Sequence, residues 1–419
     1  MKMNLKTVKR SMLATGLASA LWGLFAAPAS AETQQITALF KPNPEQPLQN
    51  KFVNTTPQSS ICEVHIPTQC KARNIFSLRF VSFMAESNGP IEANHEDPRA
   101  GAFFKTPSEF RDVQVRHTRT GVIETVRIRI AGFGGNWFMA RPPGVSAWAQ
   151  GGAGWQSAWY SAPPCTSTGH LKAGIAAATF FWIVPENAGT CARQPSQTIP
   201  WFRYRTMEYA YELVTPNPLT MTSGQYVGTI TYTVGGAGAD FDFGDVVVPT
   251  GDRELTLEFT LDVQHELKVE IPPGGNNVEL VPQGGWQGWL NQGRKPTRLF
   301  RDQTFNLSVS SPFGMQMSCE YSNGTGCDLV ETRTGQRVPL EVAVSLPHGL
   351  TDSSGQAVKR RPLRLDGSGT NGFQPSFYVN RGPGTLHFEV TRDEVEKMLT
   401  PDVEANYRGN VTVVWDSEL

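Results

Sequence analysis

Leu255-Thr-Leu-Glu-Phe-Thr-Leu261 places an apolar side chain at every second position. Successive side chains of a strand point to opposite faces, so this spacing buries one face and wets the other. The same period returns in Val113-Gln-Val-Arg-His117, Thr125-Val-Arg-Ile-Arg-Ile130, Thr229-Ile-Thr-Tyr-Thr-Val234, Phe305-Asn-Leu-Ser-Val309 and Val411-Thr-Val-Val-Trp415. Between these stretches lie 40 glycines and 30 prolines, scattered and without period, which leave little room for long helices; only Arg392 to Met398 reads as one. Short alternating strands separated by turn residues predict an all-β chain of β-sandwich type.

The amino terminus has a different character. Lys2, Lys6, Lys9 and Arg10 precede an uncharged apolar stretch from Met12 to Pro28, and Ala29-Ser30-Ala31 has the small-residue form of a cleavage site. Gly16, Gly23 and Pro28 interrupt a stretch already too short to span a bilayer, so residues 1–31 read as a secretory signal peptide and the mature chain begins at Glu32. The mature 388 residues carry 33 Lys+Arg against 38 Asp+Glu, a formal net charge of −5 that gives no footprint for nucleic acid. That length exceeds one ordinary core and suits two domains. A turn-rich break at Val248-Pro-Thr-Gly-Asp252 places the boundary, giving domains 32–249 and 250–419.

Six cysteines fall into three local pairs, Cys62 with Cys70, Cys165 with Cys191, and Cys319 with Cys327. An exported chain favours oxidation, and short loops close readily, so nearest-neighbour disulfides are expected among the fifteen possible connectivities. Cys62-x2-His65-x4-Cys70 has metal-ligand types, but no second pair lies at zinc spacing; no metal and no cofactor is expected. The other histidines are scattered and read as surface or satisfied groups.

Signatures of common catalysis are missing: no H-E-x-x-H, G-x-S-x-G or phosphate-binding loop occurs. Gly132-Phe-Gly-Gly135 and Gly151-Gly-Ala-Gly154 read as loops. Asp240, Asp242 and Asp245 alternate with Phe241 and Phe243 and read as surface residues at a strand end rather than as the paired carboxylates of a glycosidase. The chain is therefore expected not to be an enzyme. The strongest binding signal is aromatic. Trp137, Trp148, Trp155 and Trp159, with Arg141 beside them, are embedded among Gly, Ser, Gln and Pro, a composition suited to stacking on sugar rings. Arg116 and Arg119, with Arg127 and Arg129, add positive charge for an acidic sugar, as do Arg203 and Arg205 around Tyr204. Packing beneath a long loop is the alternative role for the tryptophans, and a solvated face that for the arginines.

Tyr226-Val-Gly228-Thr-Ile-Thr and Tyr407-Arg-Gly409-Asn-Val-Thr echo one another near the ends of the two halves. A Tyr before a Gly at a strand entrance anchors a turn, and the Gly admits a neighbouring strand. With the leader, the cysteine pairs of the first half and the carboxyl-terminal Tyr407-Arg-Gly-Asn-Val-Thr-Val-Val-Trp415, the chain resembles the tip adhesins of chaperone-usher fimbriae, and more narrowly the pilus-initiating minor subunits of the alpha or class 5 fimbriae, the colonisation-factor and cable-pilus type. The resemblance implies two immunoglobulin-like sandwiches in tandem, an amino-terminal domain that binds a host-cell glycan or glycoprotein, and an incomplete carboxyl-terminal pilin domain. It further implies a periplasmic fimbrial chaperone, an outer-membrane usher and a major pilin subunit that supplies a donor strand, with export through the periplasm to the fimbrial tip. The expected acceptor edge is the last strand, Asn410 to Trp415, facing a strand near Leu255 to Val263. The family's adjacent arginine pair is not found here, where Val234-Gly235-Gly236 stands, so a purely structural tip subunit is an alternative, as is a secreted carbohydrate-active enzyme with a sandwich binding module.

Overall fold

The computed structural model describes residues 31–140, 147–148, 159–365, 371–399 and 405–417. The expected leader, apart from Ala31, lies outside these residues, as do Arg141 and Trp155.

The chain is all-β, with curled sheets forming two β-sandwich-like units. In the first, the principal strands are β1 (Ala31–Phe40), β2 (Ile75–Arg79), β3 (Arg111–His117), β4 (Ile123–Met139), β5 (Thr166–Ala173), β6 (Ala177–Ile183), β7 (Phe202–Val214), β8 (Gly224–Gly235) and β9 (Glu254–Val263). β4 is the spine: β3, β6 and β7 all pair with it antiparallel. The alternation that marked β9 puts Leu255, Leu257, Phe259, Leu261 and Val263 inside, each at most 1% exposed. Val113 and Val115 of β3 and Val126, Ile128 and Ile130 of β4 face the same core.

β9 corrects an expectation. It lies between β8, antiparallel, and β1, parallel over ten residue pairs from Ala31↔Glu254 to Phe40↔Val263. It therefore completes the first unit's sheet and does not face the last strand. The turn residues at 248–252 lie on the way from β8 to its antiparallel neighbour, and turn chemistry in sequence does not separate a hairpin-type connection from a linker. The Gly132–Gly135 run is likewise strand, inside β4. A Cβ on Gly134 would come within 2.2 Å of the Phe180 carbonyl oxygen, so these glycines let β6 approach closely.

The second unit contains β10 (Leu267–Glu270), β11 (Leu299–Val309), β12 (Phe313–Cys319), β13 (Cys327–Glu331), β14 (Arg337–Ser345), β15 (Leu350–Asp352), β16 (Gly372–Pro375), β17 (Val379–Val390), β18 (Tyr407–Arg408) and β19 (Val411–Asp416). One sheet runs β10-β11-β17-β14-β13-β18 and the other β15-β16-β12-β19. Between them sits a separate core around Phe305, Leu307, Met315, Val338, Val344 and Val390.

All three disulfides join the expected neighbours. The expected helix forms as α3 (Arg392–Met398), and two short ones escaped the sequence: α1 (Pro67–Arg73) and α2 (Gln287–Gln292). α1 starts at Pro67, which needs no donor there, and ends on Asn74 in the left-handed region at φ 53°. The Cys62–Cys70 bridge and Ile61, Ile66 and Ile75 clamp it onto Ala131, Phe181 and Ala210 in a small core of its own.

The Tyr-x-Gly echo has a physical basis in the first unit. The Tyr226 hydroxyl donates to the Thr222 carbonyl and accepts from the Thr222 N–H at 3.2 and 3.0 Å, fastening the turn before β8. A Cβ on Gly228 would sit 2.3 Å from the Gln114 carbonyl oxygen of β3. Tyr407 departs from this pattern: its hydroxyl donates to Gln336 Oε1 at 2.8 Å.

Candidate functional site

The aromatic residues nominated from sequence do come together, but inward. Trp137, Trp148 and Trp159 are 1%, 3% and 1% exposed, and their rings lie 5.1–5.9 Å apart. Phe180, Trp182 and Phe202 complete the cluster, with Trp159 stacked on Trp182 at 5.5 Å. A ring enclosed on every side has no face to offer a sugar, so packing is the role of these three, and the expectation of a stacking surface is corrected for them. The Trp182 indole N–H donates to the Trp159 carbonyl at 3.0 Å, one of the bonds that hold the cluster.

The arginines lie elsewhere. Arg116, exposed at the end of β3, donates to the Gly121 carbonyl at 3.0 Å, and Arg119 lies in the same β3–β4 turn. Ile123 opposite Arg116 is fourteen residues from Trp137 along β4, about 45 Å of extended chain. These residues cannot converge on one sugar. Arg129 is bound to Glu212 and Arg203 to Glu86, which cancels those two positive charges. In the second unit Arg298 and Arg360 share Glu389, and Arg361 reaches Asp352.

Of the aspartates, Asp245 is exposed as expected and Asp242 is not. Asp242 is buried, and Arg99 spans it and Asp245, both at 2.8 Å, while its guanidinium lies over the Phe103 ring. Arg111 holds Asp240 at 2.5 Å, and hydrogen bonds from Thr233 and Arg111 keep that carboxyl below the usual carboxylate range against the opposing effect of burial. Tied to arginine in this way the three carboxylates serve the packing, and Asp240 and Asp245, both held below the usual carboxylate range, are the opposite of the raised-pKa acid that glycoside cleavage needs. Sequence reading missed these ties because each arginine lies more than a hundred residues from its acid. It also missed a Ser345–His387–Asp302 chain, with Oγ···Nε2 at 2.8 Å and Nδ1···Oδ1 at 2.6 Å. Ser345 Oγ already accepts the Arg360 N–H at 2.9 Å, so the chain ties the 346–360 connection to the sheet face.

The second unit carries the more telling geometry. Leu299, Leu329, Leu340 and Phe388 floor a groove of about 1330 Å³. Trp286, Trp289 and Leu290 of the α2 region wall one side, and Met398, Leu399 and residues 405–411, β18 among them, the other. Leu290 is 68% exposed. β19, which starts at this groove, closes its sheet as the terminal strand. It pairs antiparallel with β12 from Gly314↔Asp416 to Cys319↔Val411, and its other edge has no strand partner among the described residues. Val411, Val413 and Trp415 point toward the core but are only partly buried. A free edge with half-covered apolar side chains can add an extended strand, whose backbone bonds to the edge while its side chains fill the groove.

No protein-family profile and no curated protein matches this sequence. Among solved structures, the chain is similar to one from a chaperone–tip adhesin complex of CFA/I fimbriae biogenesis, at 10% identity and TM-score 0.26, covering 93% of this chain and 97% of that one. It is similar to CfaE, the adhesive subunit of the CFA/I fimbria of enterotoxigenic Escherichia coli, at 9% identity and TM-score 0.24, covering 92% of each chain. A chain of the CsuC–CsuE chaperone–tip adhesion subunit pre-assembly complex from the archaic Csu pili of Acinetobacter baumannii follows, at 7% identity and TM-score 0.20, covering 93% of this chain and 98% of that one. These three solved structures come from tip adhesins of chaperone-usher pili and their chaperone complexes.

Proposed function

We propose that the chain is a fimbrial tip adhesin that is exported through the periplasm and displayed at the cell surface. One observation carries this reading: the free edge of β19 beside an open groove with an apolar floor, a sandwich ready to accept one more strand. The first unit, which we place at residues 32–263 because β9 belongs to its core, binds a glycan or glycoprotein of the host cell. The second, residues 264–419, joins the pilus. A periplasmic chaperone covers the groove first, the usher receives the complex, and a strand from the next pilin replaces the chaperone. The tip position is supported by β1, whose residues Ala31–Phe40 are already paired with β9 inside the first unit and so are not a strand for donation to another subunit.

Periplasmic expression of the mature chain with and without its chaperone, or with a synthetic donor-strand peptide, tests the reading. Soluble monomer and a raised unfolding temperature are expected only when chaperone or peptide is present. A monomer equally stable alone overturns the incomplete-sandwich reading and points to an autonomous secreted protein.

A further inference from the structure

A second concavity, of about 240 Å³, lies in the first unit beside the tryptophan cluster, with which it shares Phe180 and the strands β4 and β6. Six elements supply it: His65 from the turn before α1, Arg79 from β2, Asn136 from β4, His170 and Lys172 from β5, Thr179 from β6, and Thr206 and Glu208 from β7. His65 and His170, more than a hundred residues apart, bring their rings to 4.4 Å.

The backbone departs from regular pairing on both sides of β4 at this place. β7 slips register against β4 between Arg205 and Glu208, and Thr206 within the slip has φ 52°. The left-handed region is a genuine outlier for a β-branched residue, and such strain persists only where the surroundings enforce it. β5 slips against β6 between Ser167 and Leu171, through Gly169 at φ 78°, and this turns His170 toward the pocket. Bulges re-aim side chains, and here two of them aim at one cavity. The Gln69 amide, from α1, donates to the Thr168 carbonyl at 2.7 Å and fastens the second bulge.

The charge is just as specific. Glu208, 5% exposed, accepts from Arg79 at 2.7 Å and from Ser59 Oγ at 2.5 Å, so these two charges cancel. Lys172 is exposed and has no ion-pair partner among the described residues, which leaves the pocket one net positive charge. Burial, and after it the neighbouring His65, holds the His170 imidazole below its ordinary pKa, so at neutral pH it offers hydrogen bonds rather than charge. Asn136, Thr179 and Thr206 add amide and hydroxyl groups. The volume falls below the roughly 300–1,000 Å³ of pockets that enclose drug-sized ligands and suits a single ring.

We propose that this pocket is the receptor subsite of the first unit and takes one carboxylate-bearing sugar ring, a terminal hexuronate, with its carboxylate on Lys172 and its hydroxyls on Asn136, Thr206 and the imidazoles. The proposal rests on the adhesin reading of the first unit and is independent of strand capture by the second.

The test is saturation-transfer NMR and calorimetry on the full mature chain with methyl β-D-glucuronide, against methyl β-D-glucoside and sodium acetate, alongside adhesion of the same protein to host cells. Saturable binding of the glucuronide is expected, about tenfold tighter than the glucoside, as one charge-assisted hydrogen bond supplies. Lys172→Gln should lose that tenfold and Lys172→Arg keep most of it, with unchanged unfolding temperatures because the side chain is exposed. Equal binding by wild type and Lys172→Gln, equal binding of glucoside or acetate, or no saturable glucuronide signal overturns the proposal. Cell adhesion that survives such a failure leaves the adhesin reading standing; loss of both removes it as well.

Discussion

Trp159→Ala separates a packing tryptophan from a sugar-stacking one. The ring is 1% exposed and touches Trp137, Trp148, Phe180 and Trp182, with centroids at 4.8–5.5 Å. A buried aromatic removes about 150–250 Å² from water, which at about 25 cal/mol per Å² is roughly 4–6 kcal/mol. Truncations of this kind cost about 3–5 kcal/mol where measured, and the lower end is expected if neighbouring rings relax into the space. For a unit of this size each kcal/mol moves the unfolding midpoint by about 2–4 °C, so a fall of at least about 6 °C is expected. Near-UV circular dichroism should change too, since the coupled indoles lose a member. The assay is thermal unfolding of wild type and variant, followed by fluorescence, with glycan binding measured on the folded fraction. A variant with an unchanged midpoint but abolished binding would refute the packing argument and restore the aromatic stretch as a receptor surface.

Deletion of residues 411–419 removes β19 and with it the free edge beside the groove, so chaperone capture and pilus incorporation should both be lost; normal incorporation of the truncated subunit contradicts the strand-capture reading. Asp242→Asn, made in a carboxylate 4% exposed and doubly bonded to Arg99, should cost roughly 3 kcal/mol in urea unfolding, the low end for a broken buried pair because Arg99 keeps Asp245. His265 donates from Nε2 to the Met221 carbonyl at 2.8 Å and accepts at Nδ1 from Ser310 Oγ at 3.0 Å, and burial lowers its pKa below the ordinary value. The unfolded chain therefore binds the proton more readily, and stability is lost as pH falls through about 6.5. His265→Gln should flatten the change in urea midpoint between pH 7.5 and 5.5; parallel profiles for the two proteins count against this assignment. Ser345 should stay unlabelled by a fluorophosphonate, since its hydroxyl serves a structural tie; covalent labelling lost in His387→Ala would reverse that assignment.

Much of this protein was legible without coordinates because its information is local. Alternation in Leu255–Leu261 determines which side chains are buried whatever the strand pairs with, and each cysteine had its partner within 26 residues. Turn residues, the Tyr226 clasp and the Arg392–Met398 helix likewise depend on neighbours in the chain. Pairing is different. That β9 lies between β8 and β1 rather than opposite β19 depends on which edge is free in space, and a period of two is silent on it. Exposure of Trp137 and Trp159 depended on Phe180, Trp182 and Phe202 arriving from other strands to enclose them. The Arg99–Asp242 tie and the His65–His170 contact join residues more than a hundred positions apart. The sequence by itself determined the strands and their inward faces, because those follow from periodicity and turn chemistry. Only the tertiary structure decided which aromatics are core, which charges are cancelled and where a pocket and a groove stay open, because each of those is a property of what packs against a side chain.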